Sequence, residues 1–561
     1  MRGHLRVLRD TRKQLTACLN SHLAIEQYRI SKPSPRVSQQ EFHAQQRTPG
    51  LVNAMERIAE SKLAGYLAQA PQGTREGAET ARVVKTPLAY LNQRLGALPC
   101  TETLAQYQQW WETTGCVLSE TVDRWGTPTQ RPHDRFGTRV DEIILPAGYT
   151  ELVQTGYTHG IVWRALEQRD WCGSFALGYI TAYYDAGLYC PHTVSLSTAV
   201  PLMKYGTPAL KERYLPLMLR RDGTAWQGAT WMTEVGGGSD LGANVQTVAV
   251  PDGDAYRLTG AKYFCSNLNA DLAVVAARPQ GAPSGVRGLA LFLVPRLRDD
   301  GSLNYTIRRI KDKIGTRAVI TGEVDLDNSL GYLLGSAESG IYLILEVLNI
   351  SRVANSVGSV ALIQRALDEA ESFARRRIVF GKALVEQPLM RAQLTRWRDT
   401  SDAAFALAWE AVRLLAEVWT QVPPYSARYH LFRLITHLAK YWTAEQAVQA
   451  AKWCMEVHGG AGVLEEYGVE RLLREAMVLP IWEGGSHRQM LDALEAMQRR
   501  QAHTLLLEHL APTADPAELN DWRTRLDTYL QQSPEAQEAL LETLIPPLAA
   551  WVGRVLCRRA S

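Results

Sequence analysis

The apolar residues of this chain change their spacing twice. From about Asn53 to Leu219 they recur at three- and four-residue intervals, in segments such as ETLAQYQQWWETTG and GYTELVQTGYTHGIVWRALEQ. That is the period of one helix face. Between Ala225 and Gly335 short runs take over, VQTVAV, YRLTGAKYFC, LAVVAA, GLALFLV, YTIRRI and TGEVDL, bounded by Pro, Gly, Asp and Asn. Such runs read as strands. After Gly335 the helical spacing returns at Ile341, Ile344, Leu345, Leu348, Val353, Val357, Val360 and Leu367, one long amphipathic helix running into ARRRIVFG. The expected fold class is α+β and mostly α: a helical domain, a middle β domain and a helical bundle.

The expected divisions are a basic arm or targeting segment over 1–52, a helical domain over 53–224, a β domain over 225–335, a bundle over 336–500 and a helical extension over 501–561. Residues 1–50 carry nine Lys/Arg against three acids. A cleaved transit peptide and an arm packed on a partner subunit both fit that balance. In the extension Pro512, Pro516, Pro534, Pro546 and Pro547 are expected to cut the chain into short helices. Its tail LIPPLAAWVGRVLCRRA reads either as a helix packed on the bundle or as a membrane-surface helix.

A formal charge of +3 over 561 residues is not that of a nucleic-acid binder. The eight cysteines form no CxxC pair, which argues for a reducing compartment, cytoplasmic or mitochondrial, and against a zinc site. The longest apolar stretch, GIYLILEVLNI, is broken by Glu346 and falls short of a membrane span.

MTEVGGGSD, Met232–Asp240, and GAKYFCSN, Gly260–Asn267, put glycines beside hydroxyl and acidic side chains. Alone, each suits a surface turn as well as a close backbone approach to a phosphate or heterocycle. The GGG at 236–238 does not follow a strand inside a βαβ unit, so a nicotinamide-binding Rossmann fold does not fit.

Five segments in order resemble the acyl-CoA dehydrogenase superfamily of flavoproteins over roughly residues 110–500. MTEVGGGSD resembles its MTEPxxGSD signature and GAKYFCSN its GxKxWITN segment. KDKIGTRA is similar to its KxGxRxS turn, and RRIVFG to its RxxFG helix end. EVHGGAGVLEEYGVERLLREAMVLPIWEGGS resembles its QxxGGxG block ending in YEG. RVDEIILPAGY, GLYCPHT, the Glu of EVHGG and IWEG bring the chain nearest the AidB-like branch.

The resemblance implies FAD as cofactor and an acyl-CoA thioester as substrate, with no metal. Met232, Thr233, Phe264 and Ser266 would then border the flavin, and Ser239 would bond to a cofactor phosphate or to the acyl-CoA arm. Arg377 and Phe380 would reach a neighbouring subunit's FAD pyrophosphate, where a guanidinium fork suits a diphosphate. Glu456, Gly459, Gly460, Gly485 and His487 would complete the cofactor site, and Ser239 and Arg352 would contact substrate. A site spanning two chains implies a homo-oligomer, by the resemblance a tetramer. The motifs name no electron acceptor.

Glu483, at the YEG position between Leu479, Ile481 and Trp482 on one side and Gly484 and Gly485 on the other, is the expected catalytic base. A carboxylate in apolar surroundings gains basicity by desolvation. The alternative base position, before the Arg of the long helix, is Ser351. The sequence departs from the family pattern at Glu456, where Gln is usual, at Gly485, where a hydroxyl residue is usual, and at Asn349, where Asp is frequent. AidB-like proteins are also associated with DNA and alkylation protection through a basic C-terminal region. Here residues 501–561 carry five basic and eight acidic residues, a net charge that disfavours phosphate binding.

Overall fold

A computed structural model describes residues 85–560. The basic arm expected over 1–52 lies outside the described residues. Eight helices lead the described chain: α1 Pro87–Leu95, α2 Thr101–Trp110, α3 Cys116–Arg124, α4 Tyr149–His159, α5 Trp163–Glu167, α6 Trp171–Tyr184, α7 Tyr189–Tyr205 and α8 Pro208–Met218. Side-chain caps fix several starts: Thr86, Asp170 and Thr207 accept from the backbone N–H three residues on, satisfying donors a helix cannot pair internally. Helices α6 and α7 are buried on nearly every side, so they lack a polar face and form the core of this part.

The helical reading of this stretch missed a hairpin. Strand β1, Thr129–His133, pairs antiparallel with β2, Arg139–Ile144. Asp134, whose carboxylate accepts from the N–H groups of Phe136 and Thr138, forms the turn. Asp141, buried in β2, ties the hairpin to the β domain by accepting from Ile307 N at 2.8 Å.

The β domain contains β3 Gly228–Trp231, β4 Val248–Asp252, β5 Ala255–Ser266, β6 Leu272–Pro279, β7 Ala290–Pro295, β8 Thr306–Ile310 and β9 Thr321–Leu334. The sheet runs β3-β6-β4-β5-β9-β7, with β8 on β9 and β7 also pairing with β6, so few strand edges are left open. A bulge between Lys262 and Cys265 of β5 breaks strict alternation. Lys262 and Cys265 both turn inward, and Phe264 between them is 53% exposed.

The bundle consists of α9 Gly340–Arg376, α10 Pro388–Val418, α11 Ala427–His458 and, after the short α12 Val469–Ala476, α13 Ser486–Arg500. Arg352 meets His437, and Phe373 packs its ring 4.3 Å from that of His458. Helices α9 and α11 therefore run in the same direction, and their C-terminal ends, at Arg376 and His458, lie together.

The extension folds as α14 Ala502–Leu510, α15 Pro516–Leu530, α16 Pro534–Ala539 and α17 Leu541–Ala560. Pro546 and Pro547 do not cut α17, contrary to expectation. Its buried Leu544, Ile545, Leu548, Trp551, Val552 and Val555 offset two missing backbone donors. At Gly553 a Cβ would stand 2.7 Å from the Ala403 carbonyl of α10. Helix α17 thus packs on the bundle, the first of its two expected readings. Among the described residues no helix is long and apolar enough to cross a membrane.

Candidate active site

The loop between α12 and α13 carries Glu483 in the left-handed region, at φ 59°, followed by Gly484 at φ 92°. Left-handed backbone disfavours a non-glycine residue, so the surroundings must hold it there. Buried donors from three helices do so. Arg352 Nε of α9 donates to the Glu483 carbonyl at 3.0 Å. Gln489 Nε2 of α13 donates to the Glu483 and Gly484 carbonyls at 3.1 and 2.9 Å. Lys440 Nζ of α11 donates to the Pro480 and Gly484 carbonyls at 2.9 and 2.8 Å.

Desolvation pushes the Glu483 carboxyl up to about 7, against the pull of Arg352 and Lys440. One side of its neighbourhood is apolar, where Trp482 packs on Cys190, Val194 and Val319. The Trp482 Nε1 donor is buried without a hydrogen-bond partner in the described chain. Burial holds the Cys190 thiol up at about 12, leaving it protonated.

The two glycine-rich segments meet on adjoining strands. Met232 and Thr233 follow β3, and the Thr233 carbonyl accepts from Tyr263 N of β5 at 3.0 Å. Lys262 Nζ, fully buried, donates to Glu234 at 2.7 Å and to the Met232 and Ala276 carbonyls at 3.3 and 2.7 Å. Glu234 also accepts from Thr247 and Gln246. This buried ion pair fixes the end of β3. Ser266 lies 3.4 Å from Thr321 Oγ1, which in turn accepts from Lys313 Nζ. Lys313 also donates to the Val319 carbonyl at 2.7 Å, which links the Ser266 neighbourhood to the Trp482 pocket. Ser239 is exposed.

The remaining expected cofactor residues divide by position. Arg377 and Phe380 follow α9, with Phe380 99% exposed at φ 49°. Glu456, Gly459 and Gly460 lie at the end of α11, on the same end of the bundle, and Glu456 meets Lys452 Nζ at 2.5 Å. A Cβ at Gly459 or Gly460 would touch nothing within 4 Å, so an open shelf stands there. Arg352 and Arg377 are separated by most of α9, about 37 Å at 1.5 Å per residue. Gly485 caps the start of α13, and His487 on its first turn is exposed. One chain thus presents two separated groups, one around Glu483 and Ser266 and one around Arg377 and Glu456.

The structure places Arg352, the expected substrate contact, beside the loop that carries Glu483. It is 3% exposed, pairs with Asp492 at 3.1 Å and donates to Asn349. Its donors act on the loop that carries Glu483. Lys440, Gln489 and Asp492 were not singled out in the sequence. The available signal was a lysine inside the apolar stretch LITHLAKYW, since a buried cation must find acceptors.

Among the described residues no cluster of His, Cys, Asp and Glu could hold a metal ion. Several features fit a planar cofactor with an anionic arm. Phe264, on the same strand as Ser266, is exposed, Trp482 Nε1 awaits an acceptor, and among the described residues no carboxylate pairs with Arg377, whereas neighbouring Arg375 is held by Glu371.

Comparison with known proteins matches three successive parts of the chain. The family described as acyl-CoA dehydrogenase, C-terminal domain, matches residues 338–498. Its middle domain matches 229–329, and the adaptive response protein AidB N-terminal domain matches 77–222. Acyl-CoA dehydrogenase family member 11 of Caenorhabditis elegans is 31% identical over 434 residues, covering 74% of this chain and 69% of that protein. The putative acyl-CoA dehydrogenase AidB of Escherichia coli K12 is 32% identical over 389 residues, covering 66% and 69%. Among solved structures, the apo-form of Bd2924 is 31% identical with a TM-score of 0.78, covering 85% of this chain and 97% of that one. C. elegans ACDH-11 in complex with C11-CoA is 25% identical with a TM-score of 0.73, covering 88% and 91%. With its middle and C-terminal domains matched in order behind an AidB-type N-terminal domain, this chain belongs to the acyl-CoA dehydrogenase family, oxidoreductases that act on CH–CH groups.

Proposed function

We propose that the protein binds FAD and dehydrogenates an acyl-CoA thioester, with Glu483 removing the α-proton. The observation that carries this reading is the Glu483 carboxyl, raised by desolvation to about 7 on a loop whose backbone carbonyls three buried side chains hold. A base poised near neutrality combines a usable ionised fraction with high proton affinity. The α-proton of a thioester is weakly acidic and needs such a group. When bound, FAD supplies the acceptor for the β-hydride. Thr233, Phe264 and Ser266 would border its ring, and Ser239 would meet a phosphate of the cofactor or the acyl-CoA arm. A C. elegans neighbour captured with C11-CoA supports an acyl-CoA as the substrate class.

Catalysis requires Glu483 ionised. The rate of flavin reduction should therefore rise with pH through about 7 and level off above it. Rapid-mixing measurements between about pH 5.5 and 9 check this, because a base half-ionised near 7 loses about tenfold in active fraction per unit below it. A flat profile would remove Glu483 from the rate-determining proton transfer.

Arg377 and Phe380 stand far along the bundle from Glu483, so we assign them to a partner's cofactor in a homo-oligomer. Arg377→Ala should weaken FAD retention at least about tenfold, the loss expected for a charge-assisted contact to a diphosphate. Flavin content after gel filtration, and its dependence on protein concentration, tests both parts of that assignment.

The match to the AidB N-terminal domain favours a second reading, a flavoprotein with weak dehydrogenase activity and a DNA-binding or protective role. The acidic excess of residues 501–561 counts against a phosphate-binding face there. Salt-dependent DNA binding by the purified protein would support this second reading.

A further inference from the structure

We propose that Lys440 is a positioning residue of the active site, its Nζ tying together the two ends of the Pro480–Gly484 loop and so fixing where the Glu483 carboxylate stands. Its catalytic consequence rests on the reading of Glu483 as the base.

The geometry is specific. Lys440 is fully buried on α11, forty residues before the loop, yet no carboxylate pairs with it among the described residues. Its two acceptors are the carbonyls of Pro480 and Gly484, which bracket Ile481, Trp482 and Glu483. Burying an ammonium costs several kcal/mol unless acceptors or anions compensate it. Two carbonyls leave that compensation incomplete, so the position is costly for the fold alone. The return is a short loop with both ends fixed and Glu483 held in the left-handed region between them.

Charge adds a second consequence. The groups facing Lys440 are Arg352 from α9, Glu483 from the loop and Glu445 from its own helix; burial, then Arg352, lower its proton affinity to about 7, and the two carboxylates raise it. Arg352 is itself balanced by Asp492, beside His437. Both Arg352 and Lys440 draw Glu483 toward its ionised form. Removing the Lys440 charge should therefore leave Glu483 a weaker acid.

Lys440→Met removes donors and charge but keeps an apolar stem of similar length, whereas Lys440→Gln keeps a donor without the charge. Hydrogen–deuterium exchange on the full chain, without substrate, reads the clamp independently of catalysis. In Lys440→Met, peptides covering residues 477–485 should exchange about tenfold faster, the scale of losing two modest hydrogen bonds. Lys440→Gln should loosen the loop less. In FAD-loaded protein both variants should move the pH midpoint of flavin reduction upward by about one unit.

Unchanged loop exchange in a folded Lys440→Met protein would overturn the clamp, and an unmoved midpoint in both variants would overturn the electrostatic part. Failure of both variants to fold would also overturn the proposal, because Lys440 would then serve the whole bundle. Glu483→Gln in the same assays separates the readings: retained flavin reduction there would refute Glu483 as the base, while the exchange result would still decide the clamp.

Discussion

Glu483→Gln is expected to retain FAD and to lose at least about 10²–10⁴ in the rate of flavin reduction by an acyl-CoA, the usual contribution of a positioned general base. The exchange is nearly isosteric, and the donors on the loop bind backbone carbonyls at Pro480, Glu483 and Gly484. The loop should therefore keep its shape while the proton acceptor is lost. Rapid mixing under anaerobic conditions, with flavin absorbance as the signal, measures the effect. A variant that reduces its flavin at the wild-type rate would place the base elsewhere. Ser351, at the alternative position on α9, is buried and bonded to Ser197 at 3.0 Å, and a neutral hydroxyl cannot take over that role.

The second large effect concerns stability. Glu234→Ala should cost about 3–5 kcal/mol, because it leaves the Lys262 ammonium buried without its anion. In that variant Lys262, 1% exposed, keeps only the Met232 and Ala276 carbonyls. In the intact protein burial pushes the Glu234 carboxyl up, but the Lys262 charge and the Thr247 and Gln246 donors more than offset this and hold it lowered. Replacing both partners together, Glu234→Met with Lys262→Met, should restore part of the loss, since a matched apolar pair leaves no orphaned charge. Denaturant titrations of the three proteins provide the comparison. A loss below about 1 kcal/mol for Glu234→Ala would mean that water reaches Lys262. Because the pair anchors Met232 and Thr233, flavin affinity should fall along with stability.

Much of the fold was readable because its signal is local. The runs that form β4 to β9 alternate or concentrate β-branched residues between turn residues, and α9 repeats its apolar positions over ten turns. What escaped reading depends on tertiary contact. Strand β3 is only four residues long and exists by pairing with β6. The β1–β2 hairpin is mostly exposed and is fastened far along the chain, where buried Asp141 accepts from Ile307 N and Gln130 and Arg139 donate to the Ile307 carbonyl. Helix α17 continues through Pro546 and Pro547 because the bundle accepts its apolar face, which no propensity scale records.

The site divides in the same way. Glu483, Met232, Thr233 and Ser266 lie in motifs whose residue order carries the information. The contacts that hold them are not legible in that order: Glu234 and Lys262 stand in the same motifs but are paired only by the fold, and Lys440 and Gln489 lie outside the motifs, where burial reveals their work. Arg352 shows the limit most clearly. Its motif position carries no sign of the packing that directs its guanidinium to Asp492 and to the backbone of Glu483.

The most direct test of the central claim is an anaerobic absorbance titration of FAD-reconstituted protein with short, branched and long acyl-CoA thioesters. The account predicts that at least one thioester bleaches the oxidised flavin band in wild-type protein and that the same thioester leaves the Glu483→Gln band intact. A bound flavin that no thioester bleaches would contradict it.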